Sequence, residues 1–266
     1  MDKNNDHEEW EARWNEDRIG FQISRPNPFL ILYLEHLEEV HPSRCFLPLC
    51  GKSVDLVWIS ERVGTVVGVE LVEKAVQDFF REQQIVPEIR ETPPFQTFSH
   101  DGLKILFGNF FDLESGTEEP FQAVFDRASL VAIPEHLRVG YAQCLMNQMV
   151  KGGRLLLICV DYDTSKMKGP PYSVTQTEVE RLFSSSGKLE LLESRDNLED
   201  RMREDVEMAV ARRRDELRLQ INRDLSESYA DRLASRKERL REKYDLTFGQ
   251  AVESISREIT EDIEGS

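Results

Sequence analysis

Several patterns that mark other classes of protein are missing from the 266-residue sequence. No apolar run reaches the roughly 18 residues at which a transmembrane helix is suspected. The N-terminus lacks the charged-then-apolar order of a secretory signal peptide. None of the four cysteines, at positions 45, 50, 144 and 159, belongs to a C-x-x-C pair. We therefore expect a cytoplasmic protein with reduced thiols, no membrane partner and no metal site.

An excess of basic charge is also missing. The chain has 50 acidic and 34 basic residues, and its net charge is −16. Nucleic acids and anionic membranes are bound largely through Lys and Arg side chains. We therefore expect no nucleic-acid partner.

The most informative stretch is residues 44–70. A short apolar run, residues 45–49, is followed by Gly51, by a helix-like segment over residues 53–62 and by a second apolar run that ends at Glu70. In a parallel α/β sheet, ligands bind beyond the carboxyl ends of the strands, and an acid that ends the second strand accepts hydrogen bonds from ribose hydroxyls. Glu70 lies nineteen positions after Gly51, close to the roughly 20 that such a unit uses. The stretch therefore predicts an adenosine-containing cofactor.

Two common nucleotide motifs do not fit this stretch. Gly51, Lys52 and Ser53 look like the end of a phosphate-binding loop, but that motif requires glycine at the position of Phe46. No G-x-G-x-x-G sequence is present, and a single glycine gives poor access to a pyrophosphate. The predicted cofactor therefore contains adenosine but no phosphate.

A series of segments resembles the thiopurine S-methyltransferase family, and most closely its bacterial members. The segments are FLPLCGKS at 46–53, GVE at 68–70, FDRASLVAI at 125–133 and GPPYS at 169–173, within a likeness from about residue 9 to 193. The resemblance implies a class I methyltransferase, an α/β fold with a doubly wound, mostly parallel, Rossmann-like sheet. It also implies S-adenosyl-L-methionine as cofactor and a small thiol, aromatic or heterocyclic, as methyl acceptor.

The expected cofactor contacts combine these residues with the resemblance. Trp10 and Trp14 are four positions apart and share one helical face, which by itself predicts only that a helix packs on the core. The resemblance implies that the segment from Trp10 through Phe21 covers the cofactor and the acceptor. Phe110 and Phe111 could be ordinary loop packing, whereas the resemblance implies that they border the adenine. The full expected set is Trp10, Trp14, Leu49, Gly51, Glu70, Phe110, Phe111 and Arg127.

The expected acceptor side centres on Asp126 and Arg127, which end the predicted fourth strand. Charged groups among apolar neighbours need a partner, and a structural salt bridge would be the ordinary explanation. The resemblance implies instead that Arg127 lies on the cofactor and acceptor side of the pocket. Phe21, Arg127 and Tyr162 form the expected acceptor set. Asp126 is expected to be a positioning residue at most, whereas Arg127 is expected to position an anionic acceptor and to stabilise it electrostatically. No histidine is assigned a catalytic role.

The remaining elements are predicted from periodicity and turn signals. Helices are expected over residues 27–39, 72–84, 134–150 and 175–183, the last with a capping box between Thr175 and Glu178. Residues 85–101 predict an irregular connection or a hairpin. Strands are expected over residues 104–107, 121–126, 154–160 and 189–193.

The C-terminal part departs from the resembled family, because no final antiparallel strand can be found. Apolar residues at steps of four predict a helix over residues 197–244 and a second one over 248–263. We therefore expect a methyltransferase domain over residues 1–196 and a charged α-helical extension over residues 197–266. The extension could pack on the domain, pair with a second copy of an otherwise monomeric protein, or be a poorly ordered appendage.

Two functional alternatives remain. The same fold could methylate halide, sulfide, selenium or tellurium species in a smaller pocket. The chain could also be a non-catalytic interaction protein, in which a degenerate methyltransferase domain carries a helical tail, and the missing strand is the evidence for that.

Overall fold

The structure, a computed structural model, describes residues 3–195, 235, 238–240, 242–245 and 247–257. By its internal contacts the chain divides into two units, Met1–Glu190 and Leu191–Ser266. The domain boundary expected after residue 196 stays a prediction. None of the helices in the described ranges combines the length and the hydrophobicity that spanning a bilayer requires.

A seven-stranded sheet forms the centre of the first unit. Its strands are β1 Arg44–Leu47, β2 Thr65–Glu70, β3 Glu88–Thr92, β4 Phe95–His100, β5 Leu103–Phe107, β6 Phe121–Arg127 and β7 Met149–Ile158. They lie in the order β3-β4-β5-β2-β1-β6-β7. Only the pairs β3 with β4 and β4 with β5 are antiparallel. The predicted mostly parallel α/β fold is confirmed, and residues 85–101 form a hairpin.

In the described part of the first unit, seven helices surround this sheet in the sequence, and two of them, the fourth and the sixth, connect neighbouring parallel strands. They are α1 Lys3–Asn15, α2 Pro28–Leu32, α3 Leu34–Glu38, α4 Asp55–Ser60, α5 Glu73–Glu82, α6 Arg138–Asn147 and α7 Gln176–Phe183. The clearest amphipathic case is α5, which buries Ala75, Val76, Phe79 and Phe80 on one face. This face was expected from its helical spacing.

Aromatic side chains fill the core beneath the first and sixth strands. Phe46 stacks on Phe121 with ring centroids 4.9 Å apart, and Phe110 stacks on Tyr141 at 4.7 Å. All four are buried. Burying one such ring stabilises the fold by about 1.5–3 kcal/mol, so this cluster joins β1, β6, α6 and the segment after β5 in one core.

Three sequence expectations are corrected by the structure. Residues 189–193 form no strand, because Leu189 and Leu191 are 39% and 65% exposed and have no core to cover. The helix predicted over residues 27–39 is interrupted at Tyr33, whose φ of −110° and ψ of 16° are not helical. The helix predicted over residues 134–150 begins only at Arg138, after a 3-10 turn, and Met149 already belongs to β7.

In the second unit, the described residues 191–195 form no regular element, whereas residue 235 and the later described residues are helical. Residues 238–240, 242–245 and 247–257 are helical, as predicted for this part of the extension. The other residues of the two predicted C-terminal helices, including 197–234 and 258–263, lie outside the described residues. Among described residues no strand follows β7, so this strand pairs only with β6.

Candidate active site

The predicted site residues follow strand ends that meet at one edge of the sheet. The five strands β1, β2, β5, β6 and β7 are parallel neighbours. Their register pairs Glu70 with Phe107 and Arg127 with Ile158. The segments that carry Gly51, Phe110 and Tyr162 therefore leave the same edge, which is where open α/β sheets bind ligands.

Glu70 is held at this edge by backbone donors. Its Oε2 accepts a hydrogen bond from the Gly51 N–H at 2.8 Å, and its Oε1 accepts one from the Val72 N–H at 2.7 Å. Burial raises the pKa of Glu70 to about 7, although these backbone bonds oppose the rise. A carboxylate offers about four acceptor positions, and the backbone donors of Gly51, Leu71 and Val72 use three of them, so one position remains for a ribose hydroxyl.

The turn between β1 and α4 leaves no room for a larger residue at Gly51. Leu49 and Gly51 have positive φ angles of 43° and 55°. A Cβ built at Gly51 would overlap the side-chain amide of Gln22 and would lie 3.2 Å from the ring of Trp14. Glycine thus permits both the left-handed backbone and the close approach of the N-terminal segment.

Aromatic side chains from this N-terminal segment pack against the turn. Trp14 is 3% exposed and clusters with Val72 and Ala75. Phe21 meets Trp10 and Trp14 edge to face, with ring centroids 6.0 and 6.1 Å apart. Trp14 therefore anchors this segment on the core, while the rings of Trp10 and Phe21 stay only partly buried. Their roles in covering a cofactor or stacking on an acceptor stay predictions.

Phe110 and Phe111 have different environments. Phe110 is 1% exposed, whereas Phe111 is 36% exposed. The Asn109 side-chain oxygen accepts a hydrogen bond from the Phe111 N–H at 2.9 Å and fixes the turn. Only the backbone of Phe110 can reach a ligand, whereas the ring of Phe111 is available. Contact of either residue with adenine stays a prediction.

Asp126 is engaged inside the protein and not with its neighbour. The Tyr141 hydroxyl donates to its Oδ2 at 2.7 Å, and the Leu130 N–H donates to its Oδ1 at 3.2 Å. Burial raises the pKa of Asp126 to about 6 despite these bonds. Asp126 therefore fixes the turn that follows Arg127, and the ordinary salt bridge between the two neighbours is not formed in this part of the structure.

Arg127 is half-buried, and its guanidinium makes no hydrogen bond to any residue in the described ranges. Burial lowers the pKa of Arg127, and the negative charge of Asp55 opposes this shift. Asp55 itself is 1% exposed and accepts hydrogen bonds from the Asn27 N–H at 2.7 Å and the Ser53 hydroxyl at 2.9 Å. A partly desolvated guanidinium with unused donors beside strand ends is a candidate anion-binding group.

The loop between β7 and α7, residues 159–175, is closed by its own hydrogen bonds. The Val174 N–H donates to the Val160 carbonyl at 2.8 Å, and the Tyr162 hydroxyl donates to the Pro171 carbonyl at 2.6 Å. The loop is also tied to the turn after Arg127, because the Tyr172 N–H donates to the Val131 carbonyl at 2.6 Å. Tyr162 is therefore held in place, and its contact with an acceptor stays a prediction.

Sequence reasoning missed Asp55, Tyr141 and Arg138. Asp55 begins α4 directly after the glycine turn, a position where an acid is a common helix-start signal. Arg138 is buried and pairs with Glu178 at 2.6 Å, for which the local sequence gives no signal. Thr175 does accept a hydrogen bond from the Glu178 N–H at 3.2 Å, but the Glu178 side chain goes to Arg138, so only half of the expected capping box forms.

Comparison with known proteins gives consistent matches. A family model described as thiopurine S-methyltransferase matches residues 5–223, which reaches beyond the expected end of the likeness near residue 193. A thiopurine S-methyltransferase of Azotobacter vinelandii is 40% identical over 195 residues, covering 73% of this chain and 89% of that protein. One from Pseudomonas fluorescens strain Pf0-1 is 40% identical over 191 residues, covering 72% and 88%. A solved SAM-dependent methyltransferase from Anabaena variabilis covers 67% of this chain and 80% of that chain at 14% identity, with a TM-score of 0.49.

Proposed function

The chain belongs to the thiopurine S-methyltransferase family, and from this premise we propose that its methyl acceptor is a small aromatic or heterocyclic thiol. It is a methyltransferase that uses S-adenosyl-L-methionine, so the alternative of a non-catalytic protein is set aside. The bound cofactor supplies a methyl group on a positively charged sulfur. The residues of this chain bind both molecules, orient them and exclude water.

The described residues fit such a cofactor. Glu70 offers an acceptor position at the end of β2 for a ribose hydroxyl, and Phe111 offers a ring for adenine. Trp10 and Phe21 can attract a sulfonium group through their ring faces. The tight turn at Gly51 provides no run of glycines for a pyrophosphate, which agrees with a cofactor that lacks phosphate.

The observation that carries the choice of acceptor is the unused guanidinium of Arg127. A thiol of low pKa is partly a thiolate at neutral pH, so it needs placement more than a general base. Arg127 would hold this anion electrostatically, and Phe21 and Tyr162 would flank an aromatic ring. We assign Asp126 a positioning role, because its carboxylate is bound to Tyr141 and Leu130.

The setting of the reaction is also proposed. All four cysteines are free thiols, which supports a reducing compartment such as the cytoplasm. We propose that the first unit acts as a monomer and that pairing of two C-terminal extensions is not needed for turnover.

The test uses the purified full-length chain. Calorimetric titration with S-adenosyl-L-methionine and its demethylated product, with NAD and ATP as controls, should show binding of the first two only. Turnover is then compared among an aromatic thiol, its hydroxyl analogue, hydrogen sulfide, iodide and selenite. The proposal expects the aromatic thiol to give the highest kcat/KM, whereas a higher value for one of the inorganic acceptors would replace it with the small-anion alternative.

A further inference from the structure

We propose that Arg138 and Glu178 form a clasp that positions the β7–α7 loop, residues 159–175, for binding of the methyl acceptor. Both are positioning residues, since the structure places neither at the strand ends where the reacting groups would meet. This inference rests on the proposed function, because it assigns the control of acceptor geometry within the same site.

The Arg138 side chain joins three segments of the chain. It is 3% exposed, and its Nε donates to the Ile133 carbonyl at 2.9 Å. Its Nη1 lies 3.2 Å from the Ser173 carbonyl and 2.6 Å from Glu178 Oε2. One guanidinium therefore connects the turn after β6, the end of the loop and the start of α7.

Ser173 transmits this connection to Tyr162. While its carbonyl accepts from Arg138, its hydroxyl oxygen accepts from the Tyr162 N–H at 3.0 Å and donates to Asp161 at 2.9 Å. The ring of Tyr162 is then fixed by its own hydroxyl, which donates to Pro171. A shift of Ser173 would therefore move the aromatic ring that is expected to flank the acceptor.

The location of the clasp separates it from the cofactor contacts. The loop begins just after Ile158, whose register partner is Arg127, and its other anchor is the bond from Tyr172 to Val131. Among described residues, the side chains of Arg138 and Glu178 bond to each other and to Ile133, Ser173 and Arg181, and neither side chain reaches Gly51 or Glu70. A buried ion pair is also weak evidence for stability in itself, whereas a fixed three-way geometry is what a planar guanidinium supplies.

The test compares Arg138→Lys and Glu178→Gln with a matched control. Lysine keeps the charge but lacks the planar fork, and glutamine keeps the shape of the side chain but loses the charge. Because small misplacements of a reacting group are costly, kcat/KM for the thiol should fall about 10- to 100-fold. The Kd for S-adenosyl-L-methionine should stay within about twofold. The control is Arg181→Gln, since Arg181 contacts the same carboxylate at 3.4 Å but is exposed, and it should behave like the wild type.

A second measurement monitors the structure of the β7–α7 loop and does not depend on enzymatic turnover. Backbone amide exchange at Tyr162 and Tyr172 should accelerate in both clasp variants, and it should not in the Arg181→Gln control. Unchanged exchange, or a lower melting temperature with normal kcat/KM, would overturn the clasp. Equal losses of cofactor affinity and acceptor turnover would overturn it as well, since they would indicate general disruption. Failure of the wild type to methylate any thiol would refute the proposed function instead, and the exchange experiment would still decide the inference.

Discussion

The proposed cofactor side and the proposed acceptor side of the sheet edge differ in how their charged groups are satisfied. Glu70 is buried, and each of its oxygens accepts a backbone hydrogen bond. Arg127 is half-buried, but its guanidinium donates no hydrogen bond to any residue in the described part of the chain. Asp55 interacts with it through charge alone. Burying a charged group without hydrogen bonds is unfavourable. Backbone donors offset part of this cost at Glu70, whereas no described residue offsets it at the guanidinium of Arg127.

This contrast indicates which parts of the chain would recognise each ligand. The cofactor side is formed by the backbone itself, through a tight turn and the end of a central strand. The proposed acceptor side presents guanidinium donors that no described residue satisfies. Mutations on the first side should therefore affect cofactor affinity, and mutations on the second side should affect acceptor turnover.

The largest effect is expected for Glu70→Ala. Loss of the ribose-facing carboxylate should weaken cofactor binding by about 1–3 kcal/mol, roughly 5- to 150-fold in Kd, as measured by calorimetry. Glu73→Ala is the matched control, because Glu73 is an exposed acid three positions later at the start of α5. Unchanged affinity in a folded Glu70→Ala protein would remove Glu70 from the site and break the comparison.

Arg127→Lys is expected to have a smaller effect, and to change acceptor turnover instead of cofactor affinity. The charge stays but the planar fork is lost, so kcat/KM for an anionic thiol should fall about tenfold while cofactor Kd is unchanged. Arg154→Lys provides the control, since Arg154 is an exposed residue of β7 that pairs with Glu39. If Arg127→Lys turns over at the wild-type rate, the guanidinium of Arg127 has a structural role and does not bind the acceptor.

A pH titration sharpens the description of the cofactor side. The pKa of Glu70 is raised from 4.5 to about 7, and the ionised carboxylate is the better acceptor for ribose hydroxyls. Cofactor affinity should therefore rise with pH up to about 7, by at most about tenfold per unit. Glu70→Gln should flatten this curve, and an unchanged curve in that variant would assign the titration to another group.

The stability of the fold changes with pH in the opposite direction to cofactor affinity. The folded protein holds a proton on Glu70 in a range where the unfolded chain has already lost it. The contribution of Glu70 to the free energy of unfolding is thus fully present below about pH 4.5 and is lost as the pH rises to about 7. Asp126, with a pKa of about 6, also lowers the free energy of unfolding as the pH rises, over a lower pH range.

The smallest effect is expected from removing the extension. A chain of residues 1–196 contains every predicted site residue, so its cofactor Kd and thiol kcat/KM should equal those of the full chain. Light scattering on both forms would show whether the extension pairs two copies. Aggregation of the shorter chain would instead indicate that residues after 196 protect the β7 edge, because an unpaired strand edge is an aggregation hazard.

Contacts within one local unit were easier to predict from the sequence than contacts between distant segments, for a physical reason. Gly51 and Glu70 lie within one strand-turn-helix-strand unit, and their spacing alone suggested that they meet. Arg138 and Glu178 are 40 positions apart, and the bond between Asp55 and Asn27 spans 28 positions. Such pairs arise from tertiary packing, which periodicity does not report.

The errors in the secondary structure have the same origin. Apolar residues over 27–39 have helical spacing, yet the chain bends at Tyr33, and the single predicted helix becomes α2 and α3. Residues 189–193 are rich in leucine and were predicted as a strand, but Leu189 and Leu191 are exposed. In both cases the local pattern was real and the surrounding fold determined whether it was used.

The packing of Trp14 beside Gly51 also gives the protein a built-in optical reporter. Indole emission responds to the polarity and contacts of its ring, and the ring of Trp14 lies between the cofactor turn and the start of α5. Of the other two tryptophans, Trp58 is stacked under Arg62 at 3.8 Å and supplies a background signal. Ligand occupancy at the turn can therefore be followed by intrinsic fluorescence, without attaching a dye.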